Sequence, residues 1–269
     1  MRRALDPGSL PSLLLGLLLS VYTSSAYARD GEAWRPVTGR APEPVRPHAA
    51  GIYNGEVTIA HLAVAKLLIG YSGGTGLCTG TLIAPSIVLT AAHCVPEDLI
   101  RINAVFSDGV SDRSYEAVSY AVHPDYLREL WPLADIALLA LASPVEGVSP
   151  LSLAAEAPPA RSRGIIVGFG EDERRLVGYK RMGPVRLRRC PRRPLRAAGL
   201  QAGRLEQSLC WRPRRHHADT CSGDSGGPLL VDGAVAGVTS GGYPHCHGRL
   251  SWNTNVALFR DWINALLPR

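Results

Sequence analysis

Three short motifs constrain this chain more than any other feature, because they place a histidine, an aspartate and a serine in a fixed order. His93 lies in Thr-Ala-Ala-His-Cys, Asp135 begins the run Asp-Ile-Ala-Leu-Leu, and Ser225 lies in Gly-Asp-Ser-Gly-Gly-Pro. A serine hydroxyl is a poor nucleophile unless a base takes its proton and a carboxylate orients that base. The order of the motifs also restricts the fold, since comparable sites on unrelated folds run in other orders.

The residues around these motifs resemble those of the trypsin-like serine proteases, the chymotrypsin family. Further matches extend from about Ile52 to the end of the chain and include Gly168-Phe169-Gly170, where the family usually has Gly-Trp-Gly. The resemblance implies an all-β fold of two six-stranded antiparallel β-barrels with a C-terminal helix. It also implies a serine endopeptidase, a hydrolase whose site lies in the cleft between the barrels.

The distribution of apolar residues agrees with an all-β barrel protein. Short apolar or alternating runs are separated by Gly, Pro and Ser turns, and the part of the chain from Ile52 onward is long enough to bury two modest cores. A helix is predicted only for Val256–Leu267, where apolar residues recur at helical spacing. The predicted strand runs are Ala63–Ile69, Thr81–Leu89, Ile136–Leu141, Gly164–Val167 and Ala234–Val238.

The first 28 residues are predicted to be a signal peptide rather than part of the fold. Arg2 and Arg3 precede an apolar stretch that ends in the small-x-small site Ala26-Tyr27-Ala28. An uncleaved membrane anchor is the alternative, but the stretch is shorter than the ~20 apolar residues that span a bilayer. We therefore expect a secreted protein, extracellular or, in a bacterium, periplasmic, with no membrane attachment after signal cleavage.

Residues 29–51 are predicted to be a disordered propeptide, because they are rich in Pro, Arg and Ala and offer few apolar residues for a core. The domain is then expected to span 52–269. In the family that the chain resembles, cleavage frees an Ile α-amine that pairs with the Asp preceding the nucleophile. This implies a zymogen whose activation pair is Ile52 and Asp224. Gly51 precedes Ile52 instead of Arg or Lys, so we expect a protease of other specificity to cut there.

The resemblance also implies a role for each residue of the site. His93 is the general base and then the general acid, Asp135 orients it, and Ser225 attacks the scissile carbonyl. Backbone N–H groups of Gly223 and Ser225 form the oxyanion hole. The residues implied to bind substrate are Asp219, Ser240, Gly242 and Ser251.

A carboxylate at Asp219, at the base of the primary pocket, predicts cleavage after Arg or Lys, although Asp219 could instead be a solvated turn residue. Gly241 stands where the family usually has Trp, which removes a wall of the neighbouring subsite. Ser251 stands where a Gly normally keeps the pocket open, so its hydroxymethyl group is expected to narrow the slot.

Six cysteines permit 15 pairings, and their spacing does not choose among them. The resemblance implies Cys78 with Cys94, Cys190 with Cys210, and Cys221 with Cys246. Four histidines near Cys221 and Cys246 raise the alternative of a zinc site, but their spacing matches no zinc finger or ribbon. We expect no cofactor and no metal.

The net charge of +6 is too diffuse to indicate nucleic-acid binding. Arginines do cluster in the segment Arg186–Arg196, which is either a solvated loop or a site for an acidic polymer. The partners expected are a protein or peptide substrate, and the chain is expected to be monomeric. The alternative function is a catalytically silent trypsin-like binding protein that uses this basic loop to hold acidic partners.

Overall fold

The computed structural model describes residues 33–39, 51–126, 134–191, 207–214, 216–242, 246 and 250–268. The predicted signal peptide lies outside the described residues, as does most of the predicted propeptide. Among the described residues, no helix is long and apolar enough to cross a membrane. The strands are β1 Arg35–Pro36, β2 Glu56–Val57, β3 Val64–Tyr71, β4 Gly74–Ala84, β5 Ile87–Thr90, β6 Leu99–Ser107, β7 Asp112–Val122, β8 Ala137–Leu141, β9 Arg163–Gly168, β10 Arg181–Arg188, β11 Ser208–Trp211, β12 Pro228–Val231, β13 Ala234–Gly242 and β14 Ser251–Asn255.

These strands form two closed antiparallel barrels of six strands each, which confirms the predicted fold class. The first barrel runs β7-β6-β3-β4-β5-β8 and closes by pairing β8 with β7. The second runs β11-β14-β13-β12-β9-β10 and closes by pairing β10 with β11. Each barrel carries one extra two-residue strand, β1 on β7 and β2 on β10.

The cores follow from the alternation of side chains along the strands. In β10, Arg181, Gly183, Val185 and Leu187 are buried, whereas Pro184, Arg186 and Arg188 face solvent. Val, Ile, Leu and Ala side chains from several strands fill each barrel. Their burial stabilises the fold by about 25 cal/mol for each Å² of apolar surface removed from water. The core of the first barrel also receives Trp262, Ile263 and Leu266 from the C-terminal helix.

The C-terminal helix begins later than its apolar spacing predicts. Val256–Phe259 form a 3₁₀ turn, and the α-helix α1 covers Arg260–Leu266. The predicted strand Thr81–Leu89 is in fact two strands, because the chain turns at Pro85 and Ser86 between β4 and β5. Proline lacks the N–H that a strand interior would need, so a turn at this position is physically expected.

The predicted disorder of residues 29–51 does not hold for residues 33–39. β7 pairs with β6 only as far as Glu116, which leaves one edge of its second half open. β1 covers that edge, with Arg35 opposite Tyr120 and the Val37 N–H donating to the Val118 carbonyl at 3.0 Å. The half-buried Trp34 packs against the core of the first barrel, so this short segment gains both apolar burial and backbone hydrogen bonds.

Three disulfide bonds join the six cysteines, Cys78 to Cys94, Cys190 to Cys210, and Cys221 to Cys246. These are the pairs that the family resemblance implies. The sulfurs of Cys221 and Cys246 are bonded to each other, so they do not offer thiolates to a metal. His245 and His247, which the zinc alternative also invoked, lie outside the described residues.

Candidate active site

Asp135 is a fully buried carboxylate that contacts residues of both barrels. It precedes β8 in the first barrel and has no exposed surface. Its Oδ1 accepts the His93 backbone N–H at 2.9 Å, and its Oδ2 lies 2.7 Å from His93 Nδ1. The Ser240 hydroxyl, from β13 of the second barrel, donates to the same Oδ2 at 2.6 Å. Three hydrogen bonds thus satisfy a carboxylate that would otherwise be costly to bury.

His93 lies on the 3₁₀ turn Ala92–Cys94, which follows β5. Its side chain is 23% exposed, whereas that of Asp135 is fully buried. The ring therefore has one nitrogen directed at the buried carboxylate while part of the imidazole faces solvent. This arrangement suits a base whose tautomer is fixed by Asp135 and whose ring remains partly accessible.

A backbone hydrogen bond between the two barrels holds Ser225 in the region of His93. Its carbonyl accepts the Thr79 N–H at 2.8 Å, and Thr79 adjoins Cys78. Cys78 is bonded to Cys94, the residue after His93. The half-buried serine and the histidine are therefore held near each other by one hydrogen bond and one disulfide, although they are far apart in sequence.

Gly223 and Ser225 flank the buried Asp224 in a tight turn. Gly223 has φ of +95°, a conformation that favours glycine. Its carbonyl accepts the Thr79 hydroxyl at 2.9 Å, which holds the turn against the first barrel. Within the described residues, neither the Gly223 nor the Ser225 N–H donates to another protein group. Two unused N–H donors on one turn are what an oxyanion hole requires.

Asp224 is fully buried, and its carboxylate accepts N–H groups from two flanking segments. Gly170 N–H donates to Oδ1 at 2.7 Å, and Cys221 N–H donates to Oδ2 at 2.9 Å. The Ile52 backbone N–H is a third donor. Burial nevertheless raises the pKa of Asp224 to about 7, because the lost hydration outweighs these three hydrogen bonds and the charge of Asp219 adds to the rise.

Ile52 and Gly51 both lie inside the protein in the uncut chain. Ile52 has no exposed surface and joins the core of the second barrel. A Cβ at Gly51 would lie 2.4 Å from the carbonyl oxygens of Gly168 and Tyr179, closer than atoms can approach. Only glycine therefore fits before Ile52 in this arrangement.

Asp219 is 3% exposed and lies in the second barrel, where the Tyr53 and Asp219 backbones form a bridge. The Thr220 N–H donates to its Oδ1 at 2.9 Å, and the Ser251 hydroxyl makes a short hydrogen bond to the same oxygen. The interpretation of Asp219 as a solvated turn residue does not fit this burial.

The other substrate-binding candidates lie on β13 and β14 of the second barrel. Gly242 lies opposite Ser251 in the pairing of β13 with β14. The Ser240 hydroxyl donates to Asp135, a contact that adds to the strand-pairing role expected for the Ser240 backbone. Sequence reasoning missed this contact, as it missed the Thr254 hydroxyl that donates to the Asp135 carbonyl at 3.0 Å.

Comparison with known proteins agrees with this architecture. A family model described as Trypsin matches residues 52–263. Submandibular glandular kallikrein-9 of Rattus norvegicus is 30% identical over 226 residues, which cover 77% of this chain and 83% of the relative. Kallikrein-11 of Mus musculus is 31% identical over 210 residues, covering 71% and 73%. The structure of neuropsin, a serine protease expressed in the limbic system of mouse brain, superposes with a TM-score of 0.65 at 26% identity, covering 78% of this chain and 97% of neuropsin.

The two barrels and the cleft between them define a serine protease of the chymotrypsin type. The family match covers most of the chain, so this chain belongs to the trypsin family. It is a serine endopeptidase, a hydrolase whose substrates are proteins or peptides.

Proposed function

We propose that the protein is a secreted endopeptidase that cuts after Arg or Lys through a triad of Ser225, His93 and Asp135. The observation that carries the proposal is the buried carboxylate of Asp135, held between His93 Nδ1 at 2.7 Å and the Ser240 hydroxyl at 2.6 Å. A purely structural ion pair would not need an imidazole that is partly exposed to solvent. An orienting carboxylate would need this geometry.

In the proposed mechanism, His93 takes the Ser225 proton as the oxygen attacks the carbonyl carbon of the substrate. Asp135 holds the Nδ1–H tautomer and stabilises the imidazolium that forms. The carbonyl oxygen gains negative charge, and the N–H groups of Gly223 and Ser225 donate to it. His93 then protonates the leaving amine, and a water molecule repeats the sequence to release the acyl group.

The proposed preference for Arg or Lys rests on the buried Asp219. Burying the carboxylate of Asp219 costs hydration energy, and a guanidinium or ammonium group from a substrate would offset that cost. The contact with Ser251 fills part of the slot and uses one carboxylate oxygen, so the pocket is narrower than one with glycine at this position. A substrate library profile tests this. Asp219→Ser should abolish the basic preference, and an unchanged profile would contradict the assignment.

We also propose that Ile52 and Asp224 form the activation pair after cleavage of the Gly51–Ile52 bond. The Ile52 nitrogen already contacts Asp224, so cutting the bond would turn a neutral N–H donor into an ammonium without moving it far. The match to the trypsin family also begins at Ile52. N-terminal sequencing of the active form should return Ile52, and a sequence that begins at Arg29 would refute this.

Labelling by a fluorophosphonate probe tests the triad directly. The protein should be labelled once its residues before Ile52 are removed, and Ser225→Ala or His93→Ala should abolish labelling. Ser149→Ala, which changes an exposed serine, is the matched control and should leave labelling intact. A folded and correctly processed sample that fails to react would favour the catalytically silent alternative.

The described part of the arginine segment gives that alternative some support. Arg186 and Arg188 lie on the outer face of β10, and Arg189 next to them is also exposed. Arg192, Arg193 and Arg196 lie outside the described residues. Salt-sensitive retention on heparin by the Ser225→Ala protein, lost when the described arginines are changed to Gln, would indicate a site for acidic polymers.

A further inference from the structure

Exposed apolar side chains are concentrated at one pocket that the proposed catalytic site does not use. Four of the eight large hydrophobic residues exposed in the described part of the chain line a pocket of about 550 Å³. They are Val57, Ile59, Val110 and Tyr179, with exposed fractions of 63%, 69%, 97% and 58%. Scattered apolar residues are normal on a surface, but a cluster around a concave site marks a binding surface.

The pocket lies between the barrels because its walls come from both. Val57 belongs to β2 and Tyr179 precedes β10, both on the second barrel. Val110 lies in the turn between β6 and β7 of the first barrel. None of the proposed triad, oxyanion or Asp219-pocket residues lines it. A partner bound here would therefore leave the cleft open.

The floor of the pocket carries a buried lysine. Lys66 lies on β3, and its side chain is 6% exposed. Its Nζ lies 3.5 Å from Asp112 Oδ2, longer than a good hydrogen bond, and 6.0 Å from the centre of the Phe169 ring. Lys66 has no other polar partner among the described residues, so its ammonium retains donors for a ligand.

A second lysine adds positive charge to the same floor. Lys180 Nζ donates to the carbonyls of Ala60, His61 and Ser107 at 3.0, 3.2 and 3.0 Å, which occupies its three donors with neutral groups. Burial lowers the pKa of Lys180 to about 8, against the opposing effect of Asp108 and Asp112.

The nearby carboxylates are already engaged. Asp108 accepts the N–H groups of Val110 and Ser111, each at 2.8 Å, and closes the exposed turn. Asp112 faces Lys66, and its side chain is 54% exposed. Asp112 also lines the pocket, but it contacts Lys66 through one oxygen only, so the other N–H groups of this ammonium can donate to a second carboxylate, while the rim is apolar.

We propose that this pocket is an exosite for an acidic peptide segment of a partner protein, in which an Asp or Glu lies between apolar side chains. The carboxylate would accept from Lys66 Nζ, with Lys180 supporting it electrostatically. Apolar neighbours would cover Val57, Ile59, Val110 and Tyr179. A small inorganic anion would satisfy the lysine but would leave the rim in water, so the rim favours a peptide.

Peptide selection on the full-length Ser225→Ala protein tests the proposal. The probe is a phage-displayed library of random linear heptapeptides. Counter-selection on the same protein carrying Val110→Asp removes phage that bind elsewhere, including at the Asp219 pocket. We expect the enriched peptides to carry Asp or Glu between apolar residues. A synthetic copy should lose affinity when that acid is changed to Asn or Gln.

Fluorescence anisotropy with the synthetic peptide then measures how much the rim and the floor of the pocket contribute to binding affinity. Val110→Asp should weaken binding at least about tenfold, because it replaces an apolar contact with a like charge. Val110 is 97% exposed, so this change should not disturb folding. Lys66→Met should also weaken binding. Leu258→Asp, a change at another exposed apolar residue that does not line the pocket, is the matched control and should leave affinity unchanged.

The proposal is overturned if no peptide survives counter-selection, if the survivors lack acidic residues, or if they bind the Val110→Asp protein as tightly as its parent. Cleavage of a short Arg substrate by the processed Val110→Asp enzyme should equal that of the wild type. Failure of the exosite therefore remains distinguishable from failure of the proposed catalytic function.

Discussion

Cleavage of the Gly51–Ile52 bond should change how the stability of the domain depends on pH. In the uncut chain, Ile52 presents a neutral backbone N–H to the Asp224 carboxylate, and burial raises the pKa of Asp224 to about 7. In the cut chain, the same nitrogen would be an α-ammonium, which favours the charged carboxylate and lowers its pKa. Asp224 is fully buried, so water cannot screen this difference.

The magnitude and sign follow from the two pKa values. One pKa unit corresponds to about 1.4 kcal/mol, so a rise from 3.8 in the unfolded chain to about 7 in the folded uncut chain corresponds to ~4 kcal/mol. Between these values the folded uncut chain binds more protons than the unfolded one, and its stability falls as the pH rises. The uncut chain has lost this contribution to its stability once the pH is above about 7. The cut chain should not show this fall in stability.

Urea unfolding of two inactive proteins measures this effect. One is the full chain with Ser225→Ala, and the other is the same variant released from a fusion so that it begins at Ile52. The stability of the cut form relative to the uncut form should rise by up to ~4 kcal/mol between about pH 4 and pH 8.

Two further variants separate Asp224 from other carboxylates in this experiment. Asp224→Asn should remove the pH dependence of the difference. Asp232→Asn, at an exposed turn residue with φ of +50° that asparagine tolerates, should leave it unchanged. Parallel pH profiles for the two parent proteins would refute the reasoning, because they would show that Asp224 does not sense the Ile52 nitrogen.

Three other substitutions follow from single contacts. Ser240→Ala removes a 2.6 Å hydrogen bond to the buried Asp135 and should lower kcat about tenfold or more, since such bonds contribute ~1.5–3 kcal/mol; steady-state kinetics that show an unchanged kcat would contradict this. Ser251→Gly removes the hydroxymethyl group that contacts Asp219 and should raise kcat/KM for Arg relative to Lys substrates, measured on matched peptides; a lower ratio would count against the narrowed slot. Gly51→Ala places a Cβ 2.4 Å from two carbonyl oxygens and should destabilise the uncut chain by ~1–3 kcal/mol in urea unfolding, whereas equal stability would mean that Gly51 is not confined as described.

The sequence predicted the fold class, and its local motifs supply the residues of the proposed site. The resemblance around His93, Asp135 and Ser225 led to the two barrels, and it implied the disulfide pairs that the structure contains. The strands predicted from the sequence were those rich in apolar residues. β6 and β7 do not appear among the predicted runs, because polar residues such as Arg101, Asn103 and Glu116 interrupt their apolar residues.

The contacts that the sequence could not predict are those between side chains far apart in the chain. Ser240 contacts Asp135 across 105 positions, and nothing near either residue indicates that the hydroxyl serves the carboxylate rather than a substrate. Trp34 lies in a segment too polar to predict as part of a core, yet it packs because β7 leaves an edge open. Each contact exists only once the barrels have closed.

The exosite pocket is the clearest case of a feature that the sequence alone could not predict. Val57, Val110 and Tyr179 are separated by more than fifty positions each, and each alone is an ordinary surface residue. Lys66 lies in a strand whose other residues are nearly all buried and apolar, so a burial pattern alone would place an apolar residue there. The energetic cost of burying its ammonium is offset where Asp112 and the Phe169 ring meet it from other segments. A site assembled from such separate parts requires the tertiary structure, because the property that defines it, an apolar rim above a cationic floor, belongs to no single segment.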